Sequence, residues 1–127
     1  MMRTSEWRKQ SLLGNAAVWE TTLSNGLTLL VSPMDSSPVV AVQVWYAAGS
    51  GHERADATGV AHFLEHMMFK GTARHGEGEF DRIMERMGAH GGTNAFTSKD
   101  YTAYVVEVPV SSLDKVLELE ADRMRNL

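Results

Sequence analysis

The chain of 127 residues contains no cysteine. That excludes disulfides, cysteine nucleophiles and thiolate zinc sites together, and it fits a reducing compartment. Any zinc would have to rest on histidine and carboxylate. Basic charge is not in surplus either: 12 Lys and Arg face 16 Asp and Glu, for a net charge of −4. No nucleic-acid footprint follows from this balance, nor attraction to an anionic membrane. No apolar run reaches the roughly 18 residues a membrane-spanning helix needs. Disorder is also excluded, since 43% hydrophobic and 22% charged residues are ordinary for a globular chain. The opening "MMRTSEWRKQSLLGNAAVWE" has only short apolar pieces and does not read as a secretory signal. Residues 1–17 are expected to be a loosely ordered leader to one domain over 18–127, with a cytoplasmic location favoured.

Two β-rich runs, 18–23 and 27–32, flank Asn25-Gly26 and read as a hairpin. A third strand over 39–47 is apolar on both faces, which places it centrally in a sheet. Thr58 is the expected N-cap of a helix over 59–69 that Gly71 ends. A second helix over 78–87 carries the stripe Phe80, Ile83, Met84 and Met87. Extended segments follow near 90–96 and 101–108, joined by a turn at "TSKD" and stopped by Pro109. Ser111 or Ser112 then caps a helix that runs to the end. The pattern is α+β, with a mostly antiparallel sheet and helices on one face.

On the last helix Leu113, Val116, Leu117, Met124 and Leu127 share a face, and Glu120 falls among them. A carboxylate in an apolar stripe costs free energy unless something pairs with it. An arginine partner and a role near or at a metal both satisfy that requirement.

The richest stretch is "GVAHFLEHMMFKG", residues 59–71. His62 and His66 stand at i and i+4 with Glu65 beside them, all on roughly one helix face. Two imidazoles one turn apart can reach a single ion at about 2.0–2.1 Å, and a neighbouring carboxylate can accept a proton from water there. Val60, Ala61, Phe63, Leu64, Met67, Met68 and Phe69 wrap the rest, so the helix is expected to be buried. A buried polar network needs every member satisfied, and one metal ion answers for both imidazoles.

H-x-x-E-H is the inverted zincin signature. With its surroundings "WYAAGSGHERADATGVAHFLEHMMFKGT", "GAHGGTNAFTSKDYTAYVVEVP" and "LELEADRMRNL", the chain resembles the pitrilysin/insulinase family of zinc metallopeptidases, which includes the mitochondrial processing peptidases. The resemblance implies a partial domain of the metallopeptidase type. It implies His62 and His66 as ligands of one zinc ion, and Glu65 as the general base activating a water against a peptide carbonyl. It further implies a peptide substrate added as a β-strand along "GGTNAFT", on the backbone of Gly91, Gly92, Asn94 and Ala95. The family's third ligand, a glutamate, lies further along than Leu127, and Glu120 or Glu118 are the in-chain candidates to substitute for it. The remainder of a longer parent or a partner subunit is the expected completion. The chain alone is then expected to be inactive. S-ribosylhomocysteine lyase shares the motif and a related fold but uses cysteine, which is absent here. A non-catalytic scaffold subunit of the same family is the other alternative. A partial domain leaves apolar surface uncovered around its last helix and sheet edges. Self-association is expected at tens of micromolar by sedimentation, and a clean monomer would contradict it.

Overall fold

The computed structural model describes residues 6–11, 16–89 and 93–127. The chain divides at Ser37–Pro38 into two compact units.

In the first unit β1 (Arg8–Ser11), β2 (Ala17–Thr22) and β3 (Thr28–Val31) form an antiparallel sheet in that order. The hairpin stands as expected, with Trp19 opposite Val31 and Thr22 opposite Thr28. Part of the expected leader is also strand: Arg8 pairs with Glu20 and Ser11 with Ala17. Arg-Lys-Gln-Ser has no apolar alternation to announce a strand. Its pairing with β2 carries it, with Gln10 Nε2 donating to Glu20 Oε2 across the strands.

The second unit is built on β4 (Val39–Tyr46), β5 (Thr93–Thr97) and β6 (Thr102–Pro109), antiparallel in the order β4-β6-β5. The central strand is therefore β6, and β4, expected in the middle, is an edge. Its run looks apolar on both faces, but only one face is covered: Val42 is buried, whereas Val39 and Trp45 are about half exposed. On the open face Trp45, Phe96 and Tyr101 stack their rings at 4.9–5.9 Å.

Helices cover the other face. α2 (Glu79–Arg86) and α3 (Leu113–Asn126) bring Phe80, Met84, Val116 and Leu119 against Val42, Val106 and Val108. The α2 stripe packs as its spacing predicts. The buried face of α3 differs from the expected one. Val116, Leu119, Glu120, Asp122 and Arg123 are buried, while Leu117, Met124 and Leu127 are about half exposed.

Glu120 has an arginine partner. Arg123 Nη2 donates to Glu120 Oε1 at 2.6 Å, with both side chains almost fully buried. The guanidinium also lies 4.0 Å from the Phe80 ring, 4.8 Å from Tyr104 and 5.1 Å from Phe69. Aromatic faces thus meet a cation whose Nε and Nη1 have no hydrogen-bond partner among the described residues. Removing one member of such a pair strands a buried charge. Arg123→Met is expected to cost about 3–5 kcal/mol in denaturant unfolding, with much of it recovered when Glu120→Leu is added. A single-variant loss under about 1 kcal/mol, the scale of an exposed pair, would contradict this.

Candidate metal centre

The H-x-x-E-H segment forms α1 (Val60–Met67). Its N-cap is Gly59, at φ +91°, a left-handed backbone angle that glycine adopts without penalty. Thr58, the expected cap, instead donates to the Ala55 carbonyl. The first turn is satisfied from a distance: Glu53 Oε2 accepts from Gly59 N–H at 2.7 Å and Oε1 from Ala61 N–H at 2.8 Å. A carboxylate at a helix N-terminus also complements the helix dipole. This clamp fixes the start of α1 to the loop before it.

The expected burial of α1 is not what the structure has. Val60, Phe63, Leu64 and Met67 are exposed, as are His62 and His66. Among the described residues nothing covers that side of the helix. The buried polar group is Glu65, at 8% exposure. Its Oε2 accepts a hydrogen bond from the Thr97 hydroxyl on β5. The register sets Thr97 opposite Thr102 and Ala95 opposite Tyr104.

His62 Nε2 and His66 Nε2 lie 3.0 Å apart. One nitrogen from each ring and a Glu65 carboxylate oxygen fall within 4.8 Å of one another. Two ligands of a tetrahedral zinc at about 2.0–2.1 Å stand about 3.3 Å apart, so the imidazole pair fits an ion after a small outward turn. Two imidazoles with a carboxylate beside them, and no thiolate, suit zinc. The group could hold a metal.

The other expected site residues are placed differently. Glu120 is not in this group, being engaged by Arg123. Glu118 accepts from Lys115 on an exposed face. Asn94 and Ala95 lie on β5, where Ala95 N–H donates to Asn94 Oδ1 at 2.9 Å. Gly91 and Gly92 lie outside the described residues. Of the remaining histidines, His52 Nδ1 accepts from Gly49 N–H, and His75 sits 3.5 Å from Glu79.

Three features of the site were not foreseen from the sequence. Thr97 is one. Another is a cavity of about 490 Å3 whose walls include Leu64, Glu65, Met68, Tyr104 and Arg123. Burial pushes the Tyr104 phenol up to about 12, and burial followed by Glu120 raises that of Tyr46, so both stay protonated at neutral pH. The third is the seating of "GSG" on the turn after β5: Ser50 N–H donates to Ser98 O at 2.9 Å and Gly51 N–H to Lys99 O at 2.8 Å.

An antiparallel sheet backed by helices, with an H-x-x-E-H helix on its edge strand, defines a metallopeptidase-type α+β fold. Residues 29–127 match the family model described as Insulinase (Peptidase family M16), and the chain belongs to that family. It is 43% identical over 107 residues to the zinc protease PqqE of Helicobacter pylori, covering 84% of this chain and 24% of that protein. It is 35% identical over 131 residues to cytochrome b-c1 complex subunit 1 of Bos taurus, covering 99% of this chain and 27% of that one. Among solved structures, a protease from Helicobacter pylori matches with a TM-score of 0.80 at 42% identity, over 85% of this chain and 25% of that chain. The chain thus spans about a quarter of the length of these relatives.

The backbone contact at "GSG" leaves no room for a side chain. A Cβ on Gly49 would lie 2.2 Å from the Ser98 carbonyl oxygen, whereas one on Gly76 meets nothing within 4 Å. Gly49→Ala is expected to destabilise by about 1–3 kcal/mol in thermal unfolding. Gly76→Ala should stay within about 0.5 kcal/mol of the unchanged chain. Equal effects would contradict the close approach.

Proposed function

We propose that this chain is the part of a zinc-dependent endopeptidase that carries its base and two of its metal ligands. The observation that carries the reading is one arrangement. His62 and His66 present Nε2 atoms 3.0 Å apart on an open face, with the buried Glu65 carboxylate beside them.

His62 and His66 would hold the ion, and a third ligand would come from outside the described residues. Bound there, zinc supplies Lewis acidity toward water and a peptide carbonyl. Glu65 takes a proton from the attacking water and passes it to the leaving amine. The peptide lies as an added strand along β5, whose edge away from β6 is unpaired among the described residues. It would compete with the Asn94 side chain for the Ala95 N–H. Gly91 and Gly92, outside the described residues, would lend the peptide their backbone groups, since glycine has no side chain to hold it off. The remainder of a longer parent, or a partner subunit, completes the domain.

A second reading has one observation in its favour. The chain is as similar to a cytochrome b-c1 complex subunit as to several peptidases, so a non-catalytic scaffold or substrate-binding subunit fits the same fold. Retention of His62, Glu65 and His66 together favours the peptidase.

Full-length protein purified without added metal is expected to contain one zinc and to cleave peptides. Glu65→Gln should lower kcat about 100-fold or more while zinc content stays the same. Activity surviving that substitution would remove Glu65 as base, and a metal-free, inactive protein would favour the scaffold.

A further inference from the structure

Glu65 is 8% exposed, and an ionised carboxylate can only accept hydrogen bonds. Among the described residues its side-chain donor is the Thr97 hydroxyl. Thr97 is held by everything around it. It ends β5 opposite Thr102, whose own hydroxyl donates to Ala48 O at 2.8 Å. The next residue, Ser98, donates its N–H to Tyr101 O at 2.8 Å and accepts from Ser50 N–H at 2.9 Å. Thr97 is also β-branched, so its χ1 is stiff. The hydroxyl therefore addresses Glu65 from a fixed point on the sheet.

The spacing of the group raises a problem that this contact solves. All three donor atoms lie within 4.8 Å, close enough for a freely turning Glu65 to bind the same ion as His62 and His66. A carboxylate used as a ligand is lost as a base. We propose that Thr97 is a positioning residue: by holding Glu65 Oε2 it keeps the carboxylate beside the metal site and out of the coordination sphere. The inference rests on the function proposed above, with Glu65 as base. It also ties the base to β5, the strand on which the peptide would pair, so strand and base keep a fixed offset.

The test uses full-length protein carrying Thr97→Val, Thr97→Ser, Glu65→Gln or Thr97→Val with Glu65→Gln. The readouts are kcat, KM and the visible absorption of the cobalt(II)-loaded form, which reports the ligand set. Thr97→Val, nearly the same shape without the donor, is expected to lower kcat about 10–100-fold with KM unchanged. Its cobalt band should shift as Glu65 joins the ion, and adding Glu65→Gln should reverse that shift. Thr97→Ser should restore both rate and band. A Thr97→Val enzyme with unchanged kcat, while Glu65→Gln is inactive, overturns the positioning role and leaves the base assignment standing. A rate loss with an unmoved cobalt band overturns it too, because the loss is then structural. An active Glu65→Gln enzyme overturns the proposed function itself, and this inference with it.

Discussion

The site turns on the burial of one carboxylate. Glu65 stands on a helix whose apolar and imidazole side chains are largely exposed, yet it is itself nearly closed from solvent. A charge so placed is tolerated only when bonded, and Thr97 bonds it. That requirement fixes which face of α1 meets the sheet, and so leaves His62 and His66 on the open side with their Nε2 atoms converging. His62, Glu65 and His66 stand together on one helix face and differ in their burial.

The rest of the second unit holds this arrangement in place. Glu53 clamps the start of α1, the backbone of Ser50 and Gly51 locks the turn that follows Thr97, and β6 runs through the middle of the sheet. Beneath them Arg123 sits against three aromatic rings and binds Glu120. Arg123 and Glu65 line the same cavity. A charged pair in that position is costly to desolvate, and it persists because each member has a defined partner.

Periodicity made α2 readable, because burial enforces its 3.6-residue pattern, and Asn25-Gly26 between two β-rich runs made the hairpin readable. The i, i+3, i+4 spacing of His62, Glu65 and His66 likewise reveals a shared helix face without any coordinates. What stayed hidden depends on pairing across the chain. Arg8–Ser11 is a strand through its pairing with β2, and the first turn of α1 is held by Glu53 rather than by Thr58. Apolar runs do not say whether anything covers them, so β4 and α1 read as more enclosed than they are. Glu120 was legible as a residue needing a partner, but Arg123 had to be found one helical turn away. Thr97 carried no signal at all, being one of two threonines in β5.

The proposed function requires that His62 and His66 together bind one zinc ion. X-ray absorption on the zinc-loaded chain measures this most directly. The account predicts two imidazole nitrogens at about 2.0–2.1 Å, with oxygen completing the sphere. Scattering that shows no imidazole, or that is unchanged when both histidines are replaced by alanine, would contradict it.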